Sequence, residues 1–208
     1  QIHYVDVART PQLWTELEKD KVTIREACGN TVRNVTASET AGIDVDEPFD
    51  VSPYAHAVFQ YFIRNAPNQE MGRKFKVSFS ASDADTGLSY LHDLGFIAKI
   101  ENGVRGFKVM LGGGLGAQPR HADNLFDFLP TDKIVPLMEN VVRVFDRYGE
   151  RNNRNKARMK FLIQNMGLEK FKELLKEEEL AVPFSTYPID AEVYPKVKIA
   201  DLKEVPQV

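Results

Sequence analysis

The sequence predicts an α+β fold with an antiparallel or mixed sheet, and three stretches carry that prediction. In GRKFKVSFS, residues 72–80, Phe75, Val77 and Phe79 fall on one face of a strand and Lys74, Lys76 and Ser78 on the other. In LGFIAKIENGVRGFKVMLGGG two alternating runs flank Asn102-Gly103, a dipeptide suited to both left-handed positions of a tight hairpin turn. From Thr131 onward the apolar residues recur at the helical period. Strands followed by a run of helices define the class.

Taken in order, QIHYVDV alternates and is expected to be a strand. Thr10 and Pro11 then open a short helix through QLWTELEKD, because proline's fixed φ and missing donor suit the first turn. The stretch ACGNTVRNVTASETAGIDVDEPFDV has no period and reads as a loop or irregular strand. Ser52-Pro53 begin a helix to about residue 65, with Ala57, Phe59 or Tyr61, and Phe62 available for burial. The 72–80 strand and the hairpin make a meander of at least three strands. Helices are expected over 131–148 with Gly149 beyond the end, over 153–166 with Gly167, and from 168 to about 178. The Pro-rich stretch 179–208 reads as an extended tail or linker.

Composition narrows the function classes. No apolar run approaches the ~20 residues a membrane span needs, and a net charge of −3 argues against a protein-wide attraction to nucleic acid. A single cysteine, Cys28, excludes an internal disulfide and an iron–sulfur cluster held through four thiolates of this chain alone. It fits a reducing cytoplasm and, with no histidine nearby, reads as a buried structural thiol. His3, His56, His92 and His121 lack metal-binding spacing, and no metal ligand is expected. His92 and Asp93, adjacent on a strand, would point to opposite faces. Residue 1 is Gln, with neither an initiator Met nor a signal pattern, which suggests an excised or trimmed chain.

LGGGLG invites a phosphate-loop reading, but it lacks both a Gly-Lys-Ser/Thr ending and the G-x-G-x-x-G pattern. Gly112, Gly113 and Gly114 suit a plain turn, or one passing close to a flat ligand or another backbone. RYGERNNRNKARMK is the densest basic stretch. As a helix it would place Arg154 and Arg158 on one face and Lys156 and Lys160 on another, either simply solvated or facing an anion. Nucleic acid is the generic candidate, yet the interleaved aromatics of an RNA reader are missing. Arg33, Lys74, Lys76, the three glycines and the basic stretch together describe a cationic pocket that suits a small oxyanion and a polycarboxylate cofactor.

Five blocks, ACGNTVRNVT, RKFKVSFS, HDLGF, RGFKVMLGGGLG and RNNRNKARMKFLI, occur here in an order and spacing that resemble the sirohaem-dependent sulfite and nitrite reductases. The resemblance covers about residues 1–178. It implies residues 1–26 as the end of a ferredoxin-like half domain, 27–178 as the sirohaem-binding domain, and 179–208 as the tail. It further implies Arg33, Lys74 and Lys76 as substrate-binding catalytic groups at the open face of the macrocycle. Asn30, Arg33, Asn34, Lys74, Lys76, Gly112, Gly113, Gly114, Arg120, Arg154 and Arg158 are the implied cofactor-binding residues. A 4Fe-4S cluster is implied in the complete enzyme, with cysteines that this chain lacks. Implied partners are sulfite and nitrite, the remaining halves of the enzyme, and a ferredoxin or flavoprotein donor, with no nucleic acid or membrane. Relatives that specialise in nitrite tend to carry asparagine in place of the second lysine of the strand, so Lys76 points toward sulfite. Ser38 stands where many relatives have cysteine followed by proline. The competing readings are a non-catalytic anion- or tetrapyrrole-binding module and an RNA-binding domain.

The isolated chain is expected to be colourless and without sirohaem, since a macrocycle held between two halves would lose one wall and many carboxylate contacts. The absorption spectrum of the purified protein checks this, and a stoichiometric Soret band would overturn it.

Overall fold

A computed structural model describes residues 2–20 and 22–192. The five strands are β1 (Val32–Ala37), β2 (Phe75–Ser80), β3 (Leu94–Glu101), β4 (Val104–Leu111) and β5 (Asp123–Pro130). The helices are α1 (Thr10–Lys19), α2 (Ser52–Phe62), α3 (Ile134–Tyr148), α4 (Met159–Met166) and α5 (Leu168–Glu179). One mixed sheet runs β1-β2-β3-β4-β5, with β1, β2 and β3 mutually parallel and β4 and β5 added antiparallel.

The α+β class holds, and the hairpin forms where it was expected. Asn102 and Gly103 take φ of 50° and 77° and join β3 to β4. The meander, however, is β3-β4-β5. β1 was expected only as irregular chain and β5 not at all. β2 and β3 pair in parallel because residues 81–93 cross back over the sheet between them. Residues 2–7 of the opening segment form no strand, and a 3₁₀ turn begins at Val7. Alternation stabilises a strand only where a partner and a core exist, and Ile2, Tyr4 and Val7 are exposed with no strand beside them among the described residues.

Phe75, Val77 and Phe79 are fully buried. Phe79 stacks on Phe96 with ring centroids 4.7 Å apart, and Phe107 meets Phe79, Phe49 and Tyr54 edge-on. Such offset and edge-to-face pairs add to area burial and fix the sheet's register. α3 lies inside the molecule, burying Ile134, Met138, Val141, Val142 and Phe145 between the sheet and α5. Tyr54, Val58 and Phe62 anchor α2, whereas Ala57, Phe59 and Tyr61 are only half-buried. α2 ends at Phe62, earlier than expected. α3 begins after a short 3₁₀ turn, and Gly149 is extended at φ −65°, so it is no left-handed cap.

Along β2, only the lysine end of the sheet's second face is accessible. From Ser78 onward it is covered by residues 81–93, held by buried serines: Ser89 Oγ donates to Ser80 Oγ (3.0 Å) and the Phe96 carbonyl (3.2 Å). This covering segment lies directly on backbone. A Cβ at Gly95 would overlap the Ser89 carbonyl, and one at Gly87 would meet the Phe79 carbonyl at 2.6 Å. The described part of the tail packs Phe184 and Tyr187 against Tyr61, and the remainder of the 179–208 reading lies outside the described residues.

Gly95→Ala should therefore destabilise the fold by about 3 kcal/mol, the upper range for overpacking against backbone that cannot yield. Urea unfolding monitored by circular dichroism measures it, and an unchanged midpoint would contradict the contact.

Candidate functional site

Three segments meet at the lysine end of β2 and enclose an open basin of about 540 Å3. One wall is Arg73 and Lys74, just before the strand; a second is the turn Leu115 to Gln118; the third is residues 154–161. Arg73, Lys74, Arg154, Lys156, Arg158 and Lys160 line it, and no carboxylate does.

Local chain geometry produces this convergence. The expected continuous helix over 153–166 is broken: Arg154–Lys156 is a 3₁₀ turn, Ala157 is buried, and Arg158 is extended (φ −79°, ψ 153°) before α4 starts. The i,i+4 pairing of Arg154 with Arg158 is thus not the reason they meet. The break turns all four basic side chains toward one space, where a helix would have split them between two faces. The glycines form the root of the opposite wall. Gly112 N–H donates to the Asp93 carbonyl (2.9 Å), Gly113 N–H to that of His92 (3.0 Å), and a Cβ at Gly113 would overlap the Tyr90 carbonyl. Gly112 and Gly113 therefore pass against another backbone, while Gly114 sits beneath Arg158 and Lys160.

Asp93 is fully buried and takes both Nε and Nη2 of Arg158 on Oδ1 (3.1 and 2.9 Å), with Nη2 also 2.9 Å from Oδ2. Burial pushes its carboxyl up, opposed by the Arg158 charge and by hydrogen bonds from Arg158 and the Lys76 N–H. Lys160, also buried, donates from Nζ to the carbonyls of Leu115 (3.0 Å) and Gln118 (2.5 Å), staking down the exposed turn. Burial lowers the Lys160 ammonium, and Arg158 lowers it further. Lys74 is lowered by burial first, then by the charges of Arg33, Lys76, Arg158 and Arg73. Arg73 is depressed by burial and by Arg154, Arg158 and Arg33, and its buried Nε has no acceptor.

Arg33, Lys74 and Lys76 are thus electrostatic neighbours, and among the described residues none has a carboxylate partner. Of the three, only Lys74 lines the basin; Arg33 borders a separate small cleft together with Glu26, and Lys76 lines neither. A register shift between Val32 and Asn34 makes Arg33 the extra residue of a β-bulge, a device that re-aims side chains. Arg33 Nε donates to the Ala27 carbonyl at 2.8 Å. Asn34 is exposed and pairs in register with Lys76, while Asn30 lies in the preceding loop. Arg120 turns inward, donating to the Gly112 carbonyl (2.9 Å) and pairing with Asp123 (2.6 Å). Cys28 is exposed, not buried as expected, because it lies in the irregular loop before β1, outside the core. Lys156 and Lys160 entered the expected pocket only as part of the basic stretch, and sequence reasoning missed Arg73 and Asp93 as members of the site. Arg73 adjoins the two lysines and could have been included; nothing in HDLGF shows that its carboxylate is buried beneath a cationic wall.

These residues fit a polycarboxylate such as sirohaem. Several cations lack a counter-charge, and the Arg73 Nε is an orphaned buried donor. They do not fit a four-thiolate cluster, because Cys28 is the chain's one cysteine. Among the described residues no group of three or more metal-ligating side chains occurs, and no helix is long and apolar enough to cross a membrane.

Fold and basin together define a mixed-sheet domain that gathers unpaired cations at one end of a parallel strand. The chain belongs to the nitrite and sulphite reductase 4Fe-4S domain family, whose pattern matches residues 28–184. It is 33% identical over 182 residues to sulfite reductase [ferredoxin] 1 of Mycolicibacterium paratuberculosis, covering 86% of this chain and 32% of that protein. It is 30% identical to the assimilatory ferredoxin-dependent nitrite reductase of Haloferax mediterranei, with coverage of 86% and 32%. The NirA protein of Mycobacterium tuberculosis superposes with a TM-score of 0.77 at 31% identity, over 89% of this chain and 34% of NirA. Dissimilatory sulfite reductase I shares the fold at a TM-score of 0.62 and 10% identity, over 98% of this chain and 65% of that one. The chain spans about a third of the length of the curated relatives it matches.

Since folding lowers the proton affinity of Lys74 and Lys160, the unfolded chain binds more protons, and stability contributed by these groups rises as pH climbs toward the ordinary lysine value of 10.5. Lys74→Gln should be more stable than wild type near about pH 7, with the difference vanishing by about pH 10.5. Denaturant unfolding across that range tests it, and a constant difference would show that folding does not lower the proton affinity of Lys74.

Proposed function

We propose that this chain supplies the anion-binding wall of a sirohaem-dependent sulfite reductase that also accepts nitrite. The observation that carries the reading is a basin lined by six cations and no carboxylate, lying within the matched family domain. Arg33, Lys74 and Lys76 would hold the substrate oxyanion; Arg73, Arg154 and Lys156 would pair with the cofactor's carboxylates, and Arg158, an electrostatic neighbour of both Lys74 and Arg73, would serve either anion. Asn30, Asn34 and Gly114 would border the same ligand, with Gly112, Gly113 and Arg120 bracing its wall. Sirohaem, when bound, supplies the iron and the electron path for reduction.

The chain's own residues bind and orient the anion and hold protons beside it. Lys74 is suited to the proton role, because its depressed ammonium releases a proton more readily than an exposed lysine while arginine does not. The cluster's thiolates and the opposite wall of the cofactor would come from outside this chain, so the isolated chain should not turn over. A ferredoxin donor is supported by the names of the relatives, with a flavoprotein the alternative. An exposed free thiol supports a reducing, cytoplasmic setting. We propose domain boundaries at 26/27 and 178/179; the family match begins close to the first, at residue 28, and runs past the second to 184.

Sulfite interconverts between monoanion and dianion near neutral pH whereas nitrite stays a monoanion, so each added cation favours the sulfite dianion. At an effective dielectric near 20, a unit pair at ~4 Å interacts by roughly 4 kcal/mol before desolvation. A net difference of about 1.4 kcal/mol would set a preference of about tenfold and leave nitrite as a second substrate. In a reductase that carries this domain, Lys76→Asn should lower the ratio of kcat/KM for sulfite over nitrite by about tenfold. A ratio that is unchanged or shifted toward sulfite would remove Lys76 from substrate choice, and absence of both activities in wild type would overturn the function.

A further inference from the structure

We infer that Asp93 is a positioning residue of the anion site, setting the Arg158 guanidinium and the start of β2 toward one bound oxyanion; the inference rests on the anion-binding reading above. Asp93 does not itself line the basin. It joins the segments that do. Its Oδ1 and Oδ2 hold Arg158 by two donors, its Oδ2 accepts the Lys76 N–H at 3.0 Å, and its carbonyl accepts the Gly112 N–H at 2.9 Å. The lysine strand, the basic stretch and the glycine turn, all remote in sequence, are thereby bonded to one residue.

The Lys76 contact falls where the sheet cannot supply one. β2 pairs with β3 only from Val77 opposite Leu94, so the Asp93 carboxylate takes the place of a ladder acceptor one residue earlier. The Lys76 backbone is fixed there while its side chain stays free of carboxylates. Arg158 is held along one edge, and its Nη1 has no acceptor among the described residues. A guanidinium already locked in plane loses less freedom on binding an anion. Asp93 could instead serve only as a counter-charge that relieves repulsion among the cations. The two roles predict opposite signs. Removing a counter-charge adds one net positive charge to the site and tightens anion binding. Removing a positioning group weakens binding despite the added charge.

The experiment uses the 208-residue protein with inorganic sulfite as the probe, by calorimetry or NMR titration at several salt concentrations. Asp93→Asn keeps the size and one acceptor for the Lys76 N–H, and should bind sulfite about tenfold more weakly, with a salt dependence no shallower than wild type. Equal or tighter binding, with a steeper salt dependence, overturns the inference and leaves a counter-charge. Arg158→Lys keeps charge and ion pair but loses the planar fork; it should also weaken binding severalfold, and it decides the question if Asp93→Asn does not fold. Wild-type affinity in Arg158→Lys overturns the inference. In an Arg158→Gln background, Asp93→Asn should cost little further, and a second full loss would overturn the route through Arg158. Absence of sulfite binding to wild type overturns the anion-site reading and the inference with it, whereas binding by wild type with an unweakened Asp93→Asn overturns the inference alone.

Discussion

Gathering like charges is the constraint on which this structure turns. Arg73, Lys74 and Lys160 each sit close enough to Arg158 for its charge to disfavour their charged forms, and the first cause in each lowered group is burial, not repulsion. The fold must therefore hold cations where both solvation and Coulomb energy oppose them. A buried Asp93–Arg158 pair with a two-donor geometry offsets part of this, as does the capture of Lys160 by two carbonyls. Neither device closes the basin. The counter-ions for the remaining cations are left to whatever binds there.

Such an arrangement needs a rigid frame, and the frame is apolar. The strand that presents the lysines buries Phe75, Val77 and Phe79 on its other face, so half of each turn of the pleat is fixed by core packing while the other half carries charge. The stacked and edge-on aromatics extend that anchorage to β3 and β4. Behind the site, Gly95 and Gly113 let residues 81–93 lie on the sheet at backbone distance, which brings Asp93 to its three partners. The interior chemistry of the site therefore depends on contacts that only residues without a Cβ permit.

The comparison set separates scaffold from sequence. NirA shares 31% of residues and the fold, and dissimilatory sulfite reductase I retains the fold at 10%. Identity that low is compatible with one sheet order because the demands on most core positions are generic: apolar, of suitable volume and correctly patterned.

The sequence alone determined what local physics governs. The alternation of β2, the Asn102-Gly103 hairpin, the proline-started α1 and α2 and the helical period of α3 to α5 are short-range signals, and each appears in the structure. The cationic blocks were also legible, because charged residue types at fixed spacing are written in the chain. What the tertiary structure decided was everything that needs a distant partner. QIHYVDV alternates without a strand beside it, β1 and β5 pair despite weak local patterns, and β2 meets β3 in parallel. The Arg33 bulge, the helix break at Ala157 and Arg158, and the burial of Asp93 beneath three motif blocks likewise arise from contacts between segments far apart in sequence. Residue type and period report what a segment can do, whereas which neighbours exist to pair with, repel or bury it is a property of the assembled fold.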